Sequence, residues 1–223
     1  IVTTETIKTI AERNGVEMYD VYTGFKWIAN VMRENEGKKN YIGGGEESYG
    51  FLCEDFVRDK DAVSACVILA EIAAWAKDQG LSLYQLLQKI YVEYGFSKEK
   101  GISVVKKGKS GAEEIEAMMK KFRENPLTEI AGSKVTYFYD YSTLKGKDYA
   151  ENETVTLDMP TTSNVLQYFT EDNTKVSIRP SGTEPKIKFY CEVHSKVKSI
   201  DELPEAEKAA EEKINQIKAS LGI

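Results

Sequence analysis

Val176-Ser177-Ile178-Arg179-Pro180-Ser181-Gly182-Thr183-Glu184-Pro185-Lys186-Ile187-Lys188-Phe189-Tyr190 decides how the second half of this chain folds. Val176–Ile178 and Ile187–Tyr190 read as strands, so Arg179 to Pro185 must be a loop at a strand end. That loop carries one permanent cation, two hydroxyls and a glycine between two prolines. The prolines stiffen it and lower the cost of presenting its donors. Forked guanidinium donors and exposed backbone amides suit a phosphate dianion. The same Pro, Ser and Gly content also builds ordinary surface turns, and composition alone leaves both readings open.

Working outward, Val135–Tyr139, Thr154–Met159, Val165–Phe169, Lys175–Ile178 and Ile187–Val193 are short alternating strands between turn residues. A closing helix is expected over Pro204–Ser220, with Ala206, Ala210, Ile214, Ile217 and Leu221 facing inward. Strands followed by a packing helix define a small α+β domain, an antiparallel sheet with packed helices. Asn125-Pro126 marks the expected boundary, giving domains 1–125 and 126–223.

The first domain has a different texture. A helix over Glu5–Arg13 stops at Asn14-Gly15, Val16–Tyr22 alternates as a strand, and Gly24–Arg33 reads as a second helix. Asp61–Lys77 is nearly continuous apolar sequence, which predicts a helix buried on most sides. Ser82 with Gln85 forms a capping-box pattern ahead of the next helix. Gly101–Lys107 reads as a strand, and Ser110 with Glu113 caps a helix carrying Ile115, Met118, Met119 and Phe122 as core. This alternation predicts an α/β layer.

The 223 residues are 41% hydrophobic and 30% charged, with a formal net charge of −6. That balance argues against a general nucleic-acid partner, because non-specific affinity comes from neutralising phosphates with Lys and Arg. An anionic small molecule would need locally gathered cations, and Lys175, Arg179, Lys186 and Lys188 supply a cluster. No apolar run has transmembrane length and no signal-peptide pattern occurs, so no membrane partner is expected. Cys53, Cys66 and Cys191 have no metal-ligand spacing and sit in apolar or strand-like contexts, which predicts buried reduced thiols and a cytoplasmic protein. The chain opens at Ile1, on a strand-like run, which suggests a piece of a longer protein.

A second string, Gly44-Gly45-Glu46-Glu47-Ser48-Tyr49-Gly50, places carboxylates and a hydroxyl on a glycine-loosened loop suited to sugar hydroxyls. A hairpin tip with a solvated acidic edge explains it equally. A glycosidase pair is disfavoured, because adjacent carboxylates on extended backbone point apart, and no further ligands recur nearby for a metal. Arg58-Asp59-Lys60-Asp61 precedes the apolar helix. Asp61 is expected as its N-cap, with Lys60 able to turn back toward the glycines. His194, the only histidine, is expected to be structural.

Thr23-Gly24-Phe25-Lys26, Gly45–Gly50, Arg58–Asp61 and Arg179–Pro185, in that order, resemble the phosphoglucomutase/phosphomannomutase family of phosphohexomutases. The resemblance covers essentially the whole chain and matches the family's third and fourth domains. It implies a three-layer α/β domain, incomplete at its start, followed by the α+β domain. It also implies roles. Thr23, Gly24, Glu46, Ser48 and Lys60 would contact the sugar. Arg179, Ser181, Gly182, Thr183 and Lys188 would hold the phosphate that is not transferred. The family's phosphoserine and its Mg2+ loop lie in the first two domains, and neither string occurs here. No catalytic or metal residue is therefore expected in this chain. Its partners would be a phosphorylated hexose, a hexose bisphosphate intermediate and the N-terminal domains of the same protein. Gly50 stands where the phosphomannomutase-like branch usually has histidine, which favours a glucose-type member. Two other classes stay open, a stand-alone sugar-phosphate binding module and a different phosphosugar enzyme reusing such loops.

Overall fold

The computed structural model describes residues 1–106, 108–182 and 184–223. They form two compact units, Ile1–Gly95 and Phe96–Ile223. The division therefore falls thirty residues before the expected break at Asn125-Pro126. Physically, the strand after Gly95 pairs along its whole length with a strand of the second unit, and the following helix packs on that same partner.

The first unit contains α1 (Glu5–Arg13), α2 (Phe25–Glu34), β1 (Gly43–Gly45), β2 (Phe51–Cys53), α3 (Ala62–Asp78) and α4 (Leu83–Tyr94). The side chain of Thr4 accepts the Thr6 amide at the start of α1, and Asn14 with Gly15 at φ +66° ends it. β1 and β2 pair antiparallel, Gly44 opposite Leu52. Phe25 and Met32 on α2 close over the fully buried Leu52, with Ile28 and Tyr41 at the margin. Val16–Tyr22 does not form the expected strand. The Ile1 nitrogen donates to the Val21 carbonyl at 2.7 Å, which ties the segment down without building a ladder.

The caps of α3 and α4 are as the sequence predicts. Asp61 Oδ2 accepts the Ser64 amide at 2.7 Å, holding the Asp61 carboxyl below its ordinary range. Ser82 and Gln85 form a reciprocal capping box. Burial of α3 is a correction. Only Ala76 is fully buried along it, while Val63 is 73% and Trp75 55% exposed. Its packing within the unit comes from β2 and α4, and two neighbours cannot cover a helix that is apolar all round.

The second unit contains β3 (Phe96–Val105), α5 (Gly108–Glu124), β4 (Glu129–Ile130), β5 (Ser133–Asp140), β6 (Lys145–Asp148), β7 (Glu153–Thr156), β8 (Leu166–Thr170), β9 (Lys175–Pro180), β10 (Lys186–Ser195) and α6 (Leu203–Leu221). The sheet runs β3-β10-β9-β8-β5-β6-β7, with β4 beside β5, and every pair is antiparallel. α5 starts at Gly108, whose φ of +75° turns the chain directly into the helix. Ser110 therefore lies inside α5 and does not cap it; Lys107, the last residue of the expected strand, lies outside the described residues.

Ile115, Met119 and Phe122 of α5 and Ala210, Ile214, Ile217 and Leu221 of α6 are buried with Tyr168, Val176, Ile178, Ile187 and Phe189 of the sheet. Phe122 meets Phe189 edge-on, ring centroids 6.3 Å apart. The buried Tyr168 hydroxyl donates to the Phe122 carbonyl at 2.9 Å, so its phenol is satisfied and its ionisation is pushed far up by burial. Among the described residues no helix is long and apolar enough to cross a membrane.

Candidate functional site

Two clusters of predicted residues form, one in each unit. In the first unit the connection between β1 and β2 is closed by Glu46 N–H donating to the Gly50 carbonyl at 2.8 Å. This turns Glu46 back over the loop, toward the residue before α2. Glu46 Oε1 accepts the Gly24 amide at 2.7 Å. Gly24, at φ +118° and ψ 121°, adopts a backbone conformation that L side chains rarely take.

Gly50 is buried, and a Cβ there would lie 3.2 Å from Lys60 Cδ and 3.3 Å from Glu46 Oε2. The Lys60 stem and the second Glu46 oxygen thus flank one glycine. Lys60 does turn back toward the glycine loop, as the sequence allowed. Its Nζ lies 3.1 Å from Asp59 Oδ1 and 5.8 Å from the Phe25 ring centroid. Thr23 is half-buried next to Gly24, and Ser48 is exposed on the loop two residues beyond Glu46. Tyr49, at φ +67°, is fully exposed at the loop tip.

Three segments far apart in sequence therefore meet around a carboxylate, an ammonium and a glycine amide. Such a set can accept from and donate to neutral hydroxyls. Sequence reading missed the Gly24–Glu46 bond and the packing of Glu46 and Lys60 across Gly50. A bond spanning twenty-two residues leaves no local signal. A cavity of about 790 Å3 lies nearby between α1, α2 and residues 16–22. Ile7, Ile10, Val31 and Met32 among its lining make that part of the wall apolar.

In the second unit the late loop leaves β9 and returns into β10. Ser181 N–H donates to the Lys186 carbonyl at 2.8 Å and Lys186 N–H to the Glu184 carbonyl at 2.7 Å. Arg179 and Lys188 are register partners across β9 and β10. Ser181 is half-buried and Gly182 exposed; Thr183 lies outside the described residues. The cation cluster read from sequence is smaller than expected. Lys175 is 3% exposed and pairs with Glu192 at 3.3 Å inside the sheet, and Lys186 pairs with Glu184, which keeps the Glu184 carboxyl below its usual range. Arg179 and Lys188 are the cations of that cluster set side by side at the loop.

The other expectations divide. His194 sits on β10 opposite Ser97. The cysteines are all free, but only Cys191 is buried; Cys53 is half-buried and Cys66 exposed on α3. The expectation of three buried thiols fails at Cys66 for the same reason that α3 is uncovered. Among the described residues no group of three or more His, Cys, Asp or Glu is placed to hold a metal ion. The Mg2+ implied by the resemblance finds no ligand set on them.

The two units have the α/β and α+β make-up of phosphohexomutase domains. The descriptions "Phosphoglucomutase/phosphomannomutase, alpha/beta/alpha domain III" and "Phosphoglucomutase/phosphomannomutase, C-terminal domain" match residues 1–94 and 103–210. The chain belongs to the phosphoglucomutase/phosphomannomutase family. It is 37% identical over 194 residues to a phosphoglucomutase of Staphylococcus haemolyticus (strain JCSC1435), covering 87% of this chain and 35% of that protein. It is 39% identical over 203 residues to a phosphoglucomutase of Staphylococcus aureus (strain MSSA476), covering 91% and 36%. Among solved structures, the open form of the exocytosis-sensitive phosphoprotein pp63/parafusin, a phosphoglucomutase from Paramecium, superposes with TM-score 0.58 at 19% identity. That match covers 89% of this chain and 32% of the other. The chain thus spans about a third of the length of these relatives.

Proposed function

We propose that this chain is the substrate-holding part of a phosphohexomutase that interconverts hexose 1-phosphate and hexose 6-phosphate. In this reading Glu46, Ser48 and Lys60, with Thr23, meet the sugar. Arg179, Ser181, Gly182, Thr183 and Lys188 hold the phosphate that is not transferred. The transferring phosphoserine and Mg2+ belong to N-terminal domains of the longer protein. A hexose bisphosphate forms on the way, and turns over so that either phosphate can occupy the Arg179 loop. Phosphoryl transfer needs positioning and charge stabilisation more than covalent help, and positioning is what these residues can supply. Remote phosphate binding also provides energy that can be spent on the reacting end.

The observation that carries this reading is the meeting of Gly24, Glu46, Gly50 and Lys60, three of the four family-like strings, in one cluster. Calorimetric titration with glucose 1-phosphate and glucose 6-phosphate tests it. Weak binding that is lost in Arg179→Ala is expected, with no mutase turnover by the isolated chain. Turnover by the chain alone would overturn the division of labour. Undiminished affinity in Arg179→Ala would remove the phosphate role. A binding module without catalysis is the second reading, and a longer protein that binds hexose phosphates without isomerising them would favour it.

A further inference from the structure

We propose that Gly24 acts on the sugar through Glu46, as a positioning residue, and that its backbone amide is not itself the sugar contact. The inference rests on the sugar-binding reading of Glu46. Its basis is geometric. The Gly24 amide is already committed to Glu46 Oε1 at 2.7 Å, a charge-assisted bond of normal strong length. A donor spent on a carboxylate does not also face a ligand. What the bond does is fix the carboxylate, because one oxygen is pinned and the other, Oε2, then falls beside Gly50 and the Lys60 stem.

The pin depends on glycine for conformational reasons. At φ +118° an L side chain is strained whatever the space around it. Space is available, since a Cβ on Gly24 would meet Trp27 Cδ1 at 3.8 Å and Lys26 Cγ at 3.9 Å, ordinary contact distances. Alanine there would relieve its strain by rotating the backbone, and the amide would swing away from Glu46. The loop would keep its charge and lose its aim. Gly50 completes the device from the other side. Without a side chain it lets Oε2 and the lysine stem lie close together, and any Cβ there would press on both.

The test begins with the Gly24 amide resonance of the 15N-labelled chain. In the wild type it is expected downfield, and in Glu46→Ala it should move upfield as the acceptor is removed. An amide that ignores Glu46→Ala overturns the proposal without reference to any ligand. The second measurement titrates Gly24→Ala with glucose 1-phosphate and with inorganic phosphate. Affinity for the sugar phosphate should fall about tenfold, the worth of one charged hydrogen bond, while inorganic phosphate binding stays unchanged. A folded Gly24→Ala chain with wild-type affinity for glucose 1-phosphate overturns the proposal. If the amide responds but the wild type binds no hexose phosphate, the pin stands and the sugar-binding reading falls.

Discussion

Arg179 and Lys188 face each other as register partners on neighbouring antiparallel strands, four residues along from a second partnered pair, Lys175 and Glu192. Both pairs lie on the same face of the same two strands, by the two-residue period of a sheet. At one end the charges are opposite and buried; at the other they are alike and half-exposed. Like charges directly opposed cost about 0.2–1 kcal/mol. In the proposed reading a bound phosphate offsets that cost at the loop of Ser, Gly and Pro. Lys188→Ala should therefore leave thermal stability unchanged or slightly raised in plain buffer. In saturating inorganic phosphate it should gain less stability than the wild type. A variant that melts lower in plain buffer and responds fully to phosphate would show that Lys188 is only structural.

The other end of that ladder makes the opposite prediction. Lys175 and Glu192 are 3% and 4% exposed, and Ser97 Oγ donates to Glu192 Oε1 at 3.0 Å. Removing one member of a buried pair strands the other charge, at a cost of about 3–5 kcal/mol. Lys175→Met should lower the denaturation midpoint of the second unit sharply. The double variant Lys175→Met with Glu192→Leu should recover most of the loss. Equal losses in the single and double variants would mean that packing volume, not charge, is what the pair contributes.

Gly146 makes a steric prediction. It is the register partner of Tyr139 between β5 and β6, and a Cβ there would come within 2.4 Å of the tyrosine ring at Cδ1. The ring lies flat over the glycine, covering a strand position that has no side chain of its own. Gly146→Val has the better strand propensity, yet it must push Tyr139 off the sheet and out of its contact with Phe169, ring centroids 5.4 Å apart. A destabilisation of about 1–3 kcal/mol by chemical denaturation is expected, typical of forced overpacking. Tyr139→Ala in the Gly146→Val background should add little further loss.

These cases show what the sequence could and could not convey. The strands carrying Arg179 and Lys188 are legible because Val176, Ile178, Ile187 and Phe189 alternate with polar residues. Asp61 and Ser82 are legible because caps act within one turn. β6, by contrast, is Lys145-Gly146-Lys147-Asp148, with no apolar residue to betray it; it is a strand because β5 and β7 pair with it. The apolar run of α3 is legible as helix but its exposure is not, since periodicity reports what a surface is made of and not what lies against it. Glu46 was legible as a sugar-facing candidate through its family-like string. Its bond to Gly24 was not legible, because a backbone amide has no letter in the sequence.

Buried groups that resist ionisation set the alkaline limit. Cys191 is 2% exposed, and burial pushes its thiol from 9.0 up to about 11. Burial likewise raises Tyr22 and Tyr41 from 10.0 to about 12, and the Tyr41 hydroxyl donates to the Leu52 carbonyl. In each case the native state keeps a proton that the unfolded chain gives up. The unfolded state then binds fewer protons, so stability falls as pH rises. The contribution of Cys191 is fully present below pH 9 and lost progressively up to about pH 11 and beyond. The tyrosines add their loss between about pH 10 and 12. Urea denaturation at stepped pH should show stability level to pH 9 and declining above it, and Cys191→Ala should flatten the first part of the decline. Thiol labelling at pH 8 gives the independent check. Cys66, exposed on α3, should react first, and Cys191 only as fast as the second unit opens. Labelling of Cys191 as fast as Cys66 would show that the sheet does not protect it and that its resistance to ionisation is absent.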